Sequence, residues 1–471
     1  VDLDGTIIRS DTLIEALWIF VRRKPWSLWK LFIWLWQGRS RFKASLFAEV
    51  QLNPQWLPYH QEVLNFLKQE KNQGRRLILV TAAPLEIAKN VAAHLTLFDE
   101  VMASTDTQNL KGDVKARALA EKFGDQGFDY MANSSVDMAV WEKANQSLVV
   151  SDSDRLVAKV RSKTKLQQAF RISRSSQWRL VFKQIRVHQW VKNALIFLPM
   201  ILSHQYDSLS VWLQSLLAFG AFSLTSSAVY VLNDLFDLES DRQHPQNRAR
   251  PFASGELSLF WAFVLLPVLL LGAALLTWTQ PLPFIISLAS YLALTSLYSF
   301  RLKEIVLADI LVLASLYSWR VFAGSMATGI DLSEWFLTFA IFFFFSLALL
   351  KRSAELISFE KSATAVNPRR GYRVTDLPLL VCFGVGSGYL SVLVLALYLN
   401  DPNVLAKKEM PVVLWLICPF LLYWVSRMWL KAYRGEMPTD PIIFAIKDNV
   451  SYGLLLTIAG LWLLSRGGWL F

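Results

Sequence analysis

At 471 residues the chain exceeds what one compact core usually holds, so at least two units are predicted. Hydrophobic residues make up 54% and mean hydropathy is +0.34, with long apolar runs confined to the region after about Gln177; this predicts a soluble domain followed by a membrane domain. The formal charge of +11 does not indicate nucleic acid, because the Lys and Arg residues fall between apolar runs. Cys382 and Cys418 lie inside such runs and the five His are scattered, which excludes a disulfide framework and a His-based zinc site.

The chain starts at Val1 inside a predicted strand, so a few residues are expected to precede it, and no cleavable secretory signal is visible. Residues 1–150 alternate short strands with helices, as in Leu77 to Val80 followed by Leu85 to Leu97, and Tyr130 to Met131 followed by Val136 to Ala144. This is an α/β pattern. A helical insert, about residues 12–75, separates the first two strands and contains the Trp/Phe/Arg/Lys-rich stretch from Trp18 to Phe42. That stretch can lie on a membrane surface or pack as a cap on the α/β core, and the two readings are compatible. Residues 151–180 are polar and basic and read as a linker with helical character.

From Val191 onward nine apolar stretches follow, centred near Phe197, Ala221, Leu269, Leu288, Leu313, Phe343, Val392, Ile417 and Thr457; the first is short and interrupted by Pro199. Most approach the roughly 20 residues that cross a bilayer. Trp212, Trp278, Tyr317 and Trp469 sit near run ends, as interfacial aromatics do. One set of loops carries Arg242, Arg248, Arg250, Arg301, Lys303, Lys351, Arg352, Lys361, Arg369, Arg370, Arg373, Lys431, Arg434 and Lys447, the other little beyond Lys407, Lys408 and Arg466. The positive-inside rule makes the first set, and with it the N-terminal domain, cytoplasmic. The expected location is the inner membrane, with the C-terminus outward.

The strongest chemical signal is Asn233-Asp234-Leu-Phe-Asp237-Leu-Glu239-Ser-Asp241-Arg242. Offsets of three and four residues put positions 233, 234, 237 and 241 on one helix face. Three carboxylates converging there favour Mg²⁺ with a diphosphate, because such a cluster repels itself without a cation. A solvated loop with helix-start acids is the plainer alternative. Arg248 and Arg250 downstream can grip phosphate oxygens bidentately. Further polar corners carry Tyr298, Arg301, Lys303 and Asp309, then Lys351, Arg352 and Glu355. Arg320, inside an apolar run, is costly in lipid and is expected to face the bundle interior and an anion.

NDLFDLESDR with nine spans resembles the UbiA superfamily of intramembrane prenyltransferases, in which aspartate motifs hold Mg²⁺ and a diphosphate above a lipid tunnel. HQWVKN at His188 to Asn193, NDLFDLESDRQHPQNRARP, YSFRLKEIVLADI and KRSAEL are more narrowly similar to decaprenyl-phosphate phosphoribosyltransferases, over residues from about Val181 onward. The second aspartate motif of the wider family is represented by Asp309 alone. The resemblance implies phosphoribosyl diphosphate as donor, its diphosphate held through Mg²⁺ by Asp234, Asp237 and Asp241, and a polyprenyl phosphate as nucleophile. Lys183, Arg186, Lys192, Asn193, Asn233, Arg242, Arg248, Arg250, Tyr298, Lys303, Asp309, Arg320, Lys351 and Arg352 are the candidates for substrate binding.

Asp2-Leu-Asp4-Gly5-Thr6, Val80-Thr81, Lys111 and Lys115 in LKGDVKA, and Asn133-Ser-Ser-Val-Asp137 follow one another in an order that resembles the haloacid dehalogenase superfamily, mostly phosphatases working through an aspartyl-phosphate. The match implies a Rossmann-like α/β domain with a helical cap. By it Asp2 is the nucleophile, Asp4 the general acid/base, Thr81 and Lys111 the phosphate ligands with Lys115 as the alternative lysine, and Asp2, Asp4, Asn133 and Asp137 the Mg²⁺ set. Asn133 stands where many relatives carry an acid, which lowers the negative charge there by one unit.

The expected whole is therefore an N-terminal haloacid dehalogenase-like phosphatase joined to an all-α polytopic membrane bundle of about nine helices. A tethered phosphatase can strip the phosphate from a phosphoribosyl lipid at high effective concentration. Three alternatives remain open: a prenyltransferase with a prenyl diphosphate donor and an aromatic or haem-like acceptor, a transporter or lipid-binding scaffold, and an N-terminal domain that only regulates. The sequence leaves the oligomeric state open.

Overall fold

The computed structural model describes residues 1–105, 109–171, 176–203, 205, 207–244, 247–361, 371–400, 411–437 and 440–465. His204, Arg369, Arg370, Lys407, Lys408, Arg466 and Trp469 lie outside them. The chain divides into two compact units, Val1–Arg186 with Tyr230–Val268, and Val187–Val229 with Leu269–Phe471.

The first unit is built on parallel strands. β1 (Ile78–Pro84) pairs with β2 (Glu100–Ser104), and β3 (Tyr130–Ala132) pairs with β4 (Ser147–Val150), which pairs with β5 (Leu166–Phe170). The N-terminal segment joins the two ladders: Val80 N–H donates to the Val1 carbonyl at 2.8 Å and Asp2 N–H to the Met131 carbonyl at 2.9 Å. The segment read as a linker is therefore partly sheet. After the Asp154–Lys163 helix, β5 extends the layer, and Phe170 is buried edge-on against Phe66 at 5.2 Å.

The insert folds as helices Thr12–Arg23, Trp29–Trp36, Arg39–Glu49 and Gln61–Asn72. Asp11 starts the first by accepting from Leu13 N–H and Ile14 N–H, and Ala16 and Phe20 of this helix pack into the core beneath. Both readings of the insert keep a basis, because one stretch stays uncovered: Trp26 and Trp36 are each 92% exposed, and Trp29 and Phe32 are exposed between them. Trp18, at the head of the same stretch, is buried.

Apolar helices dominate the rest. Among the described residues six are long and apolar enough to cross a membrane: Leu209–Phe236, Phe260–Thr277, Leu282–Phe300, Ala308–Thr328, Glu334–Ser358 and Val374–Leu399. Pro441–Lys447 and Asn449–Leu464 make a seventh if their 81° bend lies within one span. The count falls short of nine for local reasons. The first stretch is 3-10 helix over Val187–Phe197 followed by the five-residue helix Leu198–Leu202, with Pro199 at its start. Ile417–Tyr433 has 17 residues and carries Arg427 and Lys431.

In the second unit the 3-10 segment lies hard against Ala308–Thr328. A Cβ on Gly324 would stand 2.1 Å from the Ile196 carbonyl oxygen, so only glycine permits this approach. Phe222, Phe284, Leu288 and Ala323 pack together nearby, and Tyr317, Phe344, Leu349 and Trp429 form a further core. Cys382 and Cys418 are free thiols.

Candidate functional site

The strands of the first unit gather the N-terminal motifs. Lys115 Nζ lies 2.8 Å from Asp2 Oδ1, 3.0 Å from the Tyr130 hydroxyl and 3.5 Å from Asp137 Oδ1. Thr6 Oγ1 bridges Asp2 Oδ2 and Asn133 Oδ1 at 3.5 Å each. The left-handed Gly5 (φ +71°) makes the sharp loop possible, because a Cβ there would meet Asn133 Nδ2 at 2.1 Å. Thr81 is fully buried at the same strand ends, its hydroxyl accepting from Ala83 N–H at 3.0 Å. Lys111, expected as the phosphate ligand, is exposed; the alternative Lys115 reaches the carboxylates. Lys111 precedes the Asp113–Phe123 helix, whereas Lys115 lies in its first turn, on the face that Ala116 and Leu119 bury.

Asp4 points differently. Its Oδ1 accepts from Thr12 N–H at 2.8 Å and its Oδ2 from the Thr12 hydroxyl at 3.2 Å. Burial, seconded by the nearby Asp11 charge, pushes the Asp4 carboxyl up to about 7. Burial likewise raises Asp137, helped by Asp2. Burial works against the Lys115 ammonium, yet Asp2 and Asp137 outweigh it and hold its pKa above the ordinary lysine value.

The acidic loop also belongs to the first unit. The Leu209–Phe236 helix ends just before Asp237, and Leu238–Gln243 continues after it, so the motif is spread over two helices rather than one face. Its carboxylates do not form the expected three-fold cage. Asp234 accepts from Gln184 Nε2 at 2.8 Å, from Arg186 Nη2 at 2.5 Å and from Arg250 Nη1 at 3.1 Å. Asp241 accepts from the same Arg250 nitrogen at 2.6 Å and from Asn247 Nδ2 at 2.9 Å. The arginines relieve the mutual repulsion that was assigned to a cation. Burial still raises the Asp241 carboxyl, with Arg250 opposing. Asp237 is half-buried in the break and Asn233 half-buried in the last turn of the long helix, and Arg186 also stacks on Tyr230 at 4.7 Å.

Other loop cations differ from their expected roles. Arg242 is spent on Glu15, with Nη2 to Oε1 at 2.6 Å and Nη1 to Oε2 at 3.2 Å, and on the carbonyls of Trp56 and Ala253. Arg248 is exposed, and Lys183 is exposed and donates to the Ala249 carbonyl at 3.2 Å.

The second unit holds its own polar clusters. Asp309 Oδ1 accepts from the Tyr298 hydroxyl at 2.7 Å and from Arg352 Nη2 at 3.1 Å, while Arg352 also pairs with Glu355. Lys192 Nζ pairs with Asp440 at 2.5 Å, Lys351 shares this electrostatic neighbourhood, and Lys303 is half-buried at its corner. Arg320 is buried in the interior as expected, but the anion is missing from its hydrogen bonds. Its guanidinium donates to Asn193 Oδ1 at 2.8 Å, to the Tyr291 hydroxyl at 2.9 Å and to the Leu316 carbonyl, all neutral. Asn193 in turn donates to Ser223 at 3.0 Å.

Both acidic sites offer oxygen donors, the chemistry Mg²⁺ selects. Among the described residues no group of three His, Cys, Asp or Glu side chains is arranged to hold a metal ion. Pairs fit better than cages: Mg²⁺ is commonly held by one or two carboxylates together with substrate phosphates, and Asp234 with Asp241, or Asp2 with Asp137, supply two each.

A family model described as UbiA prenyltransferase family matches residues 194–446, and one described as haloacid dehalogenase-like hydrolase matches residues 1–140. The chain belongs to the UbiA prenyltransferase family and carries a haloacid dehalogenase-like hydrolase domain ahead of the membrane region. It is 34% identical over 462 residues to the uncharacterized protein y4nM of Sinorhizobium fredii, covering 97% of this chain and 89% of that one. It is also 34% identical over 279 residues to nodulation protein NoeC of Azorhizobium caulinodans, covering 58% of this chain and 89% of that one. Decaprenyl-phosphate phosphoribosyltransferase of Mycobacterium tuberculosis is 38% identical over 194 residues, 40% of this chain and 63% of that one.

Proposed function

We propose that the chain transfers a phosphoribosyl group from phosphoribosyl diphosphate to a polyprenyl phosphate, with the hydrolase domain then removing the phosphate carried on the ribose. The observation that carries the reading is the acidic loop with Arg186 and Arg250 at its carboxylates, in a chain 38% identical over 194 residues to a decaprenyl-phosphate phosphoribosyltransferase. In this reading Arg186 and Arg250 turn their N–H groups to the diphosphate oxygens. An oxygen of the ionised lipid phosphate attacks ribose C1 while the bond from C1 to the diphosphate breaks, and diphosphate leaves with the electron pair. The nucleophile needs no general base, so positioning and electrostatics do the catalysis. Mg²⁺, held by Asp234 and Asp241 with Asp237 in reserve at the break, would neutralise the leaving group.

At the hydrolase site Asp2 attacks phosphorus as Asp4 protonates the departing alcohol; water then attacks the aspartyl-phosphate, giving its proton to Asp4 and releasing phosphate from Asp2, an acid–base role suited to a carboxyl raised to about 7. Lys115 and Thr81 hold the phosphoryl oxygens, and Asp2 and Asp137 would hold Mg²⁺. The cytoplasmic face of an inner membrane is the expected setting.

The family model's own description favours one rival, transfer of a prenyl group from its diphosphate. Membranes containing the full chain, offered labelled phosphoribosyl diphosphate or labelled prenyl diphosphate, decide between them. Label entering a lipid from the first donor supports the reading; label from the second alone overturns it.

A further inference from the structure

We propose that the Thr12–Arg23 helix of the hydrolase cap braces the acidic loop, making Glu15 and Trp18 positioning residues for group transfer; this rests on the transfer reading above. Glu15, Trp18 and Arg22 recur at helical spacing and so share one face. All three grip the motif. The Trp18 indole N–H donates to the Leu235 carbonyl at 3.0 Å, and its ring meets Phe236 edge-on at 5.4 Å. Arg22 pairs with Glu239 at 3.3 Å, and Glu15 takes both terminal nitrogens of Arg242.

These contacts fall on both sides of the break at Asp237. Leu235 and Phe236 end the long helix; Glu239 and Arg242 belong to the short one. The Leu235 carbonyl is among the last of its helix, a group with no intrahelical partner to come, and Trp18 satisfies it. The angle between the two helices is thereby held from outside the motif, and that angle decides whether Asp234 and Asp241 reach one Arg250. The Glu15 and Arg242 side chains are 3% and 8% exposed, so the brace works out of water, where an ion pair is screened least. The opposite end of the same helix is tied to the hydrolase site, since Thr12 donates twice to Asp4.

Trp18→Phe keeps an aromatic six-membered ring and removes the pyrrole with its N–H, and is tested in the full chain in lipid nanodiscs. Transfer turnover is expected to fall roughly five-fold, the scale of one lost hydrogen bond, with the Michaelis constant for the donor unchanged. Backbone amide exchange, read without any donor, is expected to accelerate over residues 233–243 and to stay constant in β3 and β4. Unchanged turnover and exchange overturn the brace, and so does acceleration spread over the strands as well, which is general destabilisation. If exchange responds locally while the unsubstituted chain transfers no phosphoribosyl group, the transfer reading falls and the mechanical brace stands.

Discussion

Lys115 and Asp2 form a buried ion pair of 2.8 Å, with side chains only 4% and 10% exposed. Removing one partner leaves the other charged and enclosed, which costs about 3–5 kcal/mol. Lys115→Met is therefore expected to abolish phosphoester hydrolysis and lower thermal stability together. Lys111→Met, on the exposed turn before it, should stay within about 0.5 kcal/mol of the parent. Hydrolysis assays and thermal unfolding of the two variants side by side check this; loss of activity in Lys111→Met alone would return the role to Lys111.

Asp237→Ala should weaken Mg²⁺-dependent transfer in membranes, raising the Mg²⁺ concentration it requires, while leaving hydrolysis intact. Arg250→Ala should do similar harm by a different route, because Asp234 and Asp241 then face each other without their shared guanidinium. Transfer measured across a Mg²⁺ series tests both. An unchanged Mg²⁺ requirement in Asp237→Ala would remove that residue from the mechanism.

Sequential processing predicts a lipid intermediate. Asp2→Asn in the full chain should accumulate the phosphorylated ribosyl lipid, and the parent should release its dephosphorylated form. Mass analysis of extracted lipids distinguishes these, and an identical product from both chains would disconnect the domains chemically.

The uncovered aromatics of the cap predict contact with lipid headgroups. A nitroxide at position 36, introduced as Trp36→Cys after Cys382→Ala and Cys418→Ala, should collide more with oxygen than with a water-soluble nickel chelate. The reverse order would place this face in water.

The sequence made the motif order legible because each motif is local: a carboxylate pair after a strand, an acid run at a helix end. What it hid depends on distance or on turn geometry. Lys111 and Lys115 have the same chemistry four residues apart, and only packing by Ala116 and Leu119 shows which one turns inward. Apolar length puts the stretch centred near Phe197 among the spans, although hydropathy does not report that the backbone over Val187–Phe197 is 3-10. The polar Asp154–Lys163 helix disguised β5 as part of a linker. Glu15 and Arg242 are separated by 227 residues, and no periodicity links them. Arg242 thus looked like a phosphate ligand beside Arg248 and Arg250, when its donors are already committed within the protein.

That commitment bears on how the polypeptide can be cut. Excising the hydrolase portion at Val150 would strip β4 of its β5 neighbour and bare an edge prone to self-association. Even an excision running through Phe170 would take away Arg242, Leu235 and Phe236, returning the Glu15 carboxylate to water and baring the Trp18 ring beside it. A soluble fragment would need Trp18 replaced by a polar side chain, and dissecting the protein by truncation becomes a surface-repair problem before it is an assay.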